Sequence, residues 1–185
     1  MINLVPTLTW HMEMKQPPVI GQLPFPEGFH VAPFKNPGRD EYLKIYKAVG
    51  GKYSWFDRLL MSADELEAIL NSDTTSISVL KYGDEIAGFV ELNLTVQGEA
   101  EIVYFGITEK YTGKKAGFPF LMWAVNKAWD LMPGLTDGSE GAGPRVWLHT
   151  CDLDHPAAFP LYQKAGFIVY KEVTVMQPVL TLSNL

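Results

Sequence analysis

Cysteine is nearly absent from this sequence, because Cys151 is the single example among 185 residues. One cysteine cannot form an internal disulfide, and a metal site built from several cysteines is excluded. Long apolar runs are also missing, since no segment approaches the roughly 20 apolar residues that span a bilayer. The first residues lack the basic and apolar regions of a secretory signal peptide, so we expect a cytoplasmic protein.

Basic residues are scarcer than acidic ones, with 15 Lys and Arg against 21 Asp and Glu, and the formal net charge is −6. No run of basic residues stands out, so we expect neither nucleic acid nor an anionic membrane as a partner. The hydrophobic content of 47% suits one core, and the chain is too short to argue for two. We therefore predict a single domain over residues 1–185, without a metal, and leave homodimer formation open.

Proline is concentrated at the start of the chain, where residues 1–27 contain five prolines. Because proline lacks a backbone N–H and disrupts helix interiors, we predict an extended arm over 1–27 with no more than a short strand over 7–13. In the core that follows, over 28–180, apolar residues at helical spacing predict four helices. These helices lie near 42–49, 62–70, 118–132 and 156–165; a capping box over 62–65 starts the second, and Gly166 ends the last.

Segments rich in β-branched and aromatic residues predict the strands of the core. The predicted strands are 29–33, 75–82, 85–94, 100–107, 145–150, 167–172 and 174–180. Gly83-Asp84 predicts a tight hairpin turn, and the four glycines and two prolines of 133–144 predict an exposed loop. The strand, turn, helix and strand over 100–150 predict one parallel crossover, so we expect an α/β fold with a mixed, mostly antiparallel sheet. A ligand would bind at the carboxyl ends of the parallel strands.

The segment Thr-Gly-Lys-Lys-Ala-Gly over 112–117 connects a predicted strand to a predicted helix. Its backbone N–H groups would lie at the positive end of the helix, where a phosphate binds well. Gly113 and Gly117 permit a close approach to an anion, and Lys114 and Lys115 add positive charge. The alternative is an ordinary glycine-containing helix start with two solvated lysines.

Together with this turn, the runs 100–107 and 154–167 resemble the GCN5-related N-acetyltransferase (GNAT) superfamily. The second run, Asp-His-Pro-Ala-Ala-Phe-Pro-Leu-Tyr-Gln-Lys-Ala-Gly-Phe, is the more specific, because its Ala, Tyr and Gly-Phe spacing matches the CoA-side helix and following strand of that superfamily. The resemblance covers roughly 100–172, and before that only the order of elements agrees. It implies splayed parallel strands, and acetyl transfer from acetyl-CoA to a primary amine of a small molecule or peptide.

The resemblance also implies which residues contact CoA. These are Phe105, Gly106, Ile107, Thr112, Gly113, Lys114, Lys115, Ala116, Gly117, Phe118 and His155. The turn of the family begins with Arg or Gln and carries a middle glycine, whereas this chain has Thr112 and Lys115 there. We expect Lys115 to be tolerated if its dihedral angles stay in the helical region. Because of this departure, two alternatives to an acetyltransferase stay open. One is a non-catalytic acyl-CoA-binding module, and the other is an interaction domain that keeps only the fold.

Acetyl transfer to an amine needs an acid for the departing thiolate and a base for the amine. The resemblance implies that Tyr162 faces the CoA sulfur and acts as the acid. The alternative for Tyr162 is a core tyrosine with a hydrogen-bonded hydroxyl. His149 is a candidate proton relay or simply a packed histidine, and Cys151 is a poor nucleophile because no base is identifiable beside it.

Two carboxylates, Glu101 and Glu91, compete for the role of base. If the preceding turn centres on Gln97-Gly98, Glu101 faces Leu94 on the apolar face that also carries Val103, Phe105, Leu92 and Val90. Glu91 then falls on the other face. An apolar face should raise the pKa of Glu101, as a base near neutral pH requires, although a solvated carboxylate is the alternative. We assign acceptor contacts to Tyr53, Trp55 and Glu91, with core packing as an equal explanation of the aromatic residues.

Overall fold

The computed structural model describes residues 2–94, 98–132 and 143–180. The strands are β1 (Ile2–Met14), β2 (Phe29–Pro33), β3 (Thr75–Tyr82), β4 (Glu85–Leu94), β5 (Glu99–Ile107), β6 (Arg145–Cys151) and β7 (Ile168–Leu180). The α-helices are α1 (Arg39–Gly50), α2 (Asp57–Leu60), α3 (Ala63–Leu70), α4 (Gly117–Leu131) and α5 (Ala158–Ala165). Most of the predicted loop over 133–144, and residues 95–97 of the predicted turn, lie outside the described residues.

Within the described residues, one sheet contains all seven strands in the order β2-β3-β4-β5-β6-β1-β7. Five neighbouring pairs run antiparallel, and β5 and β6 run parallel. This arrangement confirms the predicted α/β fold with a mixed, mostly antiparallel sheet and one parallel crossover. In the part of the chain that the structure describes, no helix is both long enough and apolar enough to cross a bilayer.

The ends of the chain depart from the predicted elements. The proline-rich start forms a strand of 13 residues, β1, which lies between β6 and β7 instead of extending as an arm. Pro6 is accommodated because β1 pairs with β6 only from Thr9 onward, so Pro6 has a single neighbouring strand and its missing N–H is tolerated. The two strands predicted over 167–180 are one continuous strand, β7, because β1 pairs along its length.

The helices cover the two faces of the sheet and divide the core between them. On one face, α4 packs in a cluster with buried residues of β1, β4, β5 and β6. On the other face, α1 and α3 bury a smaller cluster with β3 and β4. The predicted capping box of α3 is confirmed, since the Ser62 hydroxyl accepts from the Glu65 N–H and the Glu65 carboxylate accepts from the Ser62 N–H. The predicted end of α5 at Gly166 is confirmed by a φ of 104°.

The β4–β5 pairing contains a bulge that changes which side chains share a face. Glu91 faces Tyr104, but its neighbour Leu92 faces Ile102, so Val103 is an extra residue on β5. Glu101 faces Asn93, so the predicted pairing with Leu94 was wrong by one residue. The predicted separation of the two carboxylates was also wrong, because Glu91 and Glu101 line the same cavity. An extra residue inverts the side-chain alternation, and a local sequence pattern does not reveal it.

The bulge also separates Glu101 from the apolar residues predicted to share its face. Phe105 packs against Phe120 of α4, with 5.2 Å between ring centroids. Leu92 and Val90 belong to the same α4 cluster. Glu101 therefore lies on the α1 and α3 side of the sheet, and those three apolar side chains lie on the α4 side.

Candidate active site

A cleft lies where β5 and β6 separate. These strands pair only from Glu99 to Glu101 and from Arg145 to Trp147, and beyond that point residues 103–107 of β5 and His149 and Cys151 of β6 line the cleft. The cleft has a volume of about 890 Å³, and the amino end of α4 borders it. This is the predicted ligand position, at the carboxyl ends of splayed parallel strands.

All residues predicted to contact CoA line this cleft. They are Phe105, Gly106, Ile107, Thr112, Gly113, Lys114, Lys115, Ala116, Gly117, Phe118 and His155. The turn ends at Ala116, and α4 begins at Gly117, so the first N–H groups of a 15-residue helix have no intrahelical acceptor. Such groups bind phosphate oxygens well, and two lysines and Lys164 of α5 add positive charge around them. Contact of these residues with CoA stays a prediction.

Gly106 has a packing role that the sequence did not reveal. A Cβ at this position would lie 2.4 Å from Cγ1 of Val49 in α1, so a side chain would push the helix away from the sheet. The bulge of β5 lies at Val103 and not at Gly106. Glycine at this position therefore allows α1 to pack closely on β5.

Lys115 does not adopt the helical dihedral angles that we expected. Its φ is 62°, in the left-handed region, and Gly113 has a φ of 81°. Left-handed geometry brings Cβ close to the next carbonyl oxygen and costs a non-glycine residue about 1–2 kcal/mol. The turn therefore has the backbone shape that a glycine would adopt without strain, and Lys115 bears the strain in its place.

Lys115→Gly should consequently be more stable than Lys115→Ala. Both variants remove the same charge, but only glycine relieves the left-handed strain, by about 1 kcal/mol. Glycine also has the more flexible unfolded chain, which reduces the gain by roughly 0.4–1 kcal/mol. Urea denaturation of the two variants measures the difference. A glycine variant less stable than the alanine variant by about 0.4–1 kcal/mol, the unfolded-chain cost alone, would show that the turn is not strained at this residue.

Tyr162 lies on α5 and lines the cleft. The residue is 8% exposed, and its ring packs edge-on against Phe105 and Phe167. Among the described residues, the hydroxyl has no hydrogen-bond partner, unlike the bonded core tyrosine of the alternative interpretation. Burial, and secondarily the charge of Asp154, raise the pKa of Tyr162 above its ordinary value. The phenol therefore stays protonated at neutral pH and can donate a proton.

Glu101 lies near the point where β5 and β6 separate. Burial raises the pKa of Glu101 from its ordinary value of 4.5 to about 7, against the opposing charge of Arg58 and with a further contribution from Glu91. Its Oε1 is 3.8 Å from Nδ1 of His149, whose side chain is 47% exposed and lines the cleft. A carboxyl group with this pKa can gain and lose a proton near neutral pH, and His149 connects it to solvent.

Glu91 is occupied by structural contacts, and its contact with the acceptor stays a prediction. The residue is 1% exposed. Its carboxylate accepts hydrogen bonds from the guanidinium of Arg58 and the hydroxyl of Tyr42. A buried carboxylate paired in this way holds α1 and α2 against β4, and removing one partner would leave an uncompensated charge.

The aromatic residues predicted for the acceptor, Tyr53 and Trp55, border the cleft that we assign to CoA. The indole N–H of Trp55 donates to Oδ1 of Asp154 at 3.2 Å, and the ring fills the space beside Gly50. The ring of Tyr53 lies edge-on to His155, with 5.9 Å between centroids. Both side chains thus help to build the wall of the cleft, and their contact with an acceptor stays a prediction.

Asp154 connects three parts of the site through hydrogen bonds. Its Oδ2 accepts from the Thr150 hydroxyl at 2.7 Å and from the Cys151 N–H at 3.0 Å. Its Oδ1 accepts from Trp55, which is 99 residues away in the chain. The spacing from Thr150 to Asp154 suggests a local turn, but no local signal identifies the contact with Trp55.

Cys151 lines the cleft without the properties of a nucleophile. Burial raises the pKa of its thiol from 9.0 to about 11, and the charge of Asp154 adds to the effect. The thiolate, which is the nucleophilic form, is therefore scarce at neutral pH. Among the described residues, no group of three or more His, Cys, Asp and Glu side chains could hold a metal ion.

Solved acetyltransferase structures resemble this chain at low sequence identity. A GCN5-related N-acetyltransferase from Sphaerobacter thermophilus is 20% identical, with a TM-score of 0.64, and the match covers 97% of this chain and 55% of that chain. An aminoglycoside acetyltransferase from an uncultured soil metagenomic sample, in complex with trehalose, is 13% identical with a TM-score of 0.57, over 83% of this chain and 97% of that one. At these identities the similarity shows the fold alone.

The chain spans only part of several of these structures. It covers 55% of the Sphaerobacter thermophilus protein and 60% of a functionally unknown conserved protein from Staphylococcus epidermidis, which is 14% identical with a TM-score of 0.56 over 91% of this chain. No curated protein matches the sequence. The family model for the acetyltransferase (GNAT) family matches residues 41–167, which is well over half of the chain. The chain therefore belongs to the acetyltransferase (GNAT) family.

Proposed function

We propose that this chain transfers an acetyl group from acetyl-CoA to a primary amine of a small molecule or peptide. The observation that carries the proposal is the cleft itself, which joins the turn before α4 to Tyr162 and to His149, 3.8 Å from Glu101. An aminoglycoside acetyltransferase among the structural neighbours supports an amine as the acceptor. Family membership supports acetyl transfer over the two non-catalytic alternatives.

The chemistry of the cleft supports CoA as the donor of the acetyl group. The amino end of α4 and Lys114 would hold the pyrophosphate, and the backbone of residues 105–107 would run beside the pantetheine arm. The thioester supplies an activated acyl group, so the chain itself needs only to position the reactants and move protons.

Tyr162, which lines the cleft, and Glu101, beside His149 of the cleft, are suited to those proton transfers. Glu101, in its ionised form, removes a proton from the acceptor ammonium, and His149 passes that proton to solvent. The neutral amine nitrogen bonds to the acetyl carbon while the carbon–sulfur bond breaks, and Tyr162 gives its proton to the departing thiolate. The nitrogen then loses its second proton to solvent, and Tyr162 regains a proton from solvent. Val103 is the extra residue of the bulge, so one backbone position of β5 is not paired with β4. An N–H at this position can donate to the thioester oxygen, which gains negative charge during the reaction.

Release of free thiol from acetyl-CoA in the presence of a panel of amines tests the activity directly. Amine-dependent release supports the enzyme, and its absence from every amine contradicts it. A melting-temperature shift with CoA then separates the two alternatives, since a ligand at 100 times its dissociation constant adds about 2.7 kcal/mol. An acyl-CoA-binding module shows the shift, whereas an interaction domain does not.

Gly117→Asp should weaken CoA binding, while Gly117→Ala should change it much less. A Cβ at Gly117 meets only Cδ1 of Ile107, at 3.7 Å, so alanine fits without displacing the helix. Aspartate adds a negative charge where the phosphates should bind, and we expect at least about a tenfold rise in the dissociation constant. Isothermal titration with CoA measures both variants. Equal affinities for the aspartate and alanine variants would refute the assignment of this turn.

Location and partners stay predictions. A cytoplasmic protein without nucleic acid or membrane partners agrees with the net charge of −6 and the single cysteine. Size-exclusion chromatography with light scattering measures homodimer formation, which the sequence left open.

A further inference from the structure

A second cavity lies on the α1 and α3 side of the sheet, and it meets the cofactor cleft at the bulge. It has a volume of about 490 Å³. Val103 lines both cavities. Glu101 lines the second cavity, and its carboxylate is 3.8 Å from His149, which lines the first. A molecule in the second cavity would therefore approach an acetyl group in the cleft from the side where Glu101 can take up its proton.

Besides the charged Arg58, Glu91 and Glu101, the polar part of this cavity wall is made of hydroxyl and amide groups. They belong to Ser72, Thr74, Thr75 and Asn93. The Ser72 and Thr74 hydroxyls are 2.8 Å apart, and the Asn93 side chain has no hydrogen-bond partner among the described residues. These groups both donate and accept hydrogen bonds, so they match a ligand that carries several hydroxyls. No aromatic ring belongs to the described residues that line this cavity, which makes it a poor site for an aryl group.

Charge in the cavity favours an amine and disfavours an acid. Arg58 is the single cation among the described lining residues, and it is 9% exposed. Its guanidinium pairs with Glu91 and lies over the ring of Tyr104, 5.2 Å from the centroid. It is therefore not free to bind a carboxylate of the acceptor. Glu101 places a proton acceptor at the end of the cavity nearest the cleft.

We propose that this second cavity binds the acceptor, and that the acceptor is a polyhydroxylated primary amine of the amino-sugar type. The hydroxyls of the acceptor bond to Thr74 and Asn93, and its amino group lies beside Glu101. This inference rests on the proposed acetyltransferase function and adds the class of substrate to it. It also assigns the acceptor to different residues from the aromatic ones that the sequence suggested.

A matched pair of amines tests the chemical class. Glucosamine and cyclohexylamine both carry an amino group on a six-membered ring, but only glucosamine has hydroxyls. We expect kcat/KM for glucosamine to exceed that for cyclohexylamine by at least about tenfold, because a site built for hydroxyls is left with unpaired groups by the analogue without them. Equal values for the two amines would overturn the proposal while leaving acetyl transfer established.

Two variants then locate the binding site. Thr74→Val and Asn93→Leu remove polar groups from the cavity wall, and each should lower kcat/KM for glucosamine by about tenfold without changing that for cyclohexylamine or the KM for acetyl-CoA. Thr174→Val is the control, since Thr174 is exposed on β7. A loss equal for both amines, or no loss for glucosamine, contradicts the assignment.

Measuring glucosamine binding tests the proposed acceptor site independently of acetyl transfer. We expect glucosamine, added to the full chain saturated with CoA, to shift the NMR methyl signals of Thr74, Thr75, Ile69 and Val103. If these signals move and no amine is acetylated, the proposed function fails and the binding site stands. If they do not move at millimolar glucosamine, or signals elsewhere move in their place, the binding site is wrong whatever the activity.

Discussion

Tyr162→Phe is expected to lower the maximal rate of acetyl transfer about 10²-fold, because general acid catalysis typically contributes 10² to 10⁴. Phenylalanine keeps the ring packed against Phe105 and Phe167 and removes the one group that can protonate a thiolate. The hydroxyl has no partner among the described residues, so its loss leaves no buried group unpaired there. The affinity for CoA and the melting temperature should therefore stay close to wild type.

Steady-state kinetics with both substrates saturating, and a pre-steady-state burst experiment, measure the effect on the chemical step. Tyr170→Phe is the matched control, since Tyr170 is an exposed tyrosine on β7. A Tyr162→Phe rate within a factor of about two of wild type, with chemistry limiting turnover, would refute the role. A large fall in melting temperature would favour a structural hydroxyl.

Glu101→Gln should remove the acidic limb of the pH–rate profile and lower kcat/KM at neutral pH by about 10²-fold or more. With a pKa of about 7, Glu101 is protonated below neutral pH and cannot accept a proton from the acceptor ammonium. Wild-type kcat/KM should therefore fall about tenfold per pH unit below 7 and level off above it. Glutamine cannot gain or lose a proton in this range, so the variant should be slow and lack that limb.

The same variant should be more stable than wild type at alkaline pH. The folded-state pKa of Glu101, about 7, is above its ordinary value of 4.5, so the folded protein binds the proton more tightly and loses stability as the pH rises between these values. The loss amounts to at most about 3 kcal/mol, and glutamine avoids it. Urea denaturation at about pH 8 should show the gain, and at about pH 4 it should vanish.

Glu67→Gln is the control for both measurements, because Glu67 is an exposed carboxylate on α3. An unchanged pH–rate profile in Glu101→Gln would remove Glu101 from the mechanism. If the gain in stability nevertheless appeared, Glu101 would be a strained buried carboxylate without a catalytic role. Both effects together, and neither in the control, support Glu101 as the base.

Elements with strong local signals were predicted almost as the structure has them. The hairpin of β3 and β4 around Gly83-Asp84 has the predicted bounds, and β2 does as well. The capping box of α3 and the glycine that ends α5 lie at the predicted residues. Each of these signals acts over a few neighbouring residues, so the sequence of that segment contains the information.

Features that depend on distant partners were predicted less well. The bulge at Val103 follows from how β4 and β5 settle against helices on both faces, and it reversed the relation between Glu101 and Glu91. The raised pKa of Glu101 was expected from an apolar face, but the cause is burial beside Arg58 and Glu91. A single extra residue reverses which side chains of a strand lie on each face of the sheet. The raised pKa of Glu101 was therefore predicted correctly, although the face of the sheet on which it lies was not.

The sequence by itself determined the family resemblance, the mixed sheet with its parallel crossover, and that the residues predicted to contact CoA come together in one cleft. Only the tertiary structure decided that β1 lies inside the sheet, that Lys115 takes a left-handed conformation, and that a second, hydroxyl-lined cavity meets the cleft at Val103. The physical reason is the distance along the chain between the residues that determine each feature. Helix periodicity, turns and caps depend on residues a few positions apart, whereas strand order, register and burial depend on contacts between residues far apart in the chain.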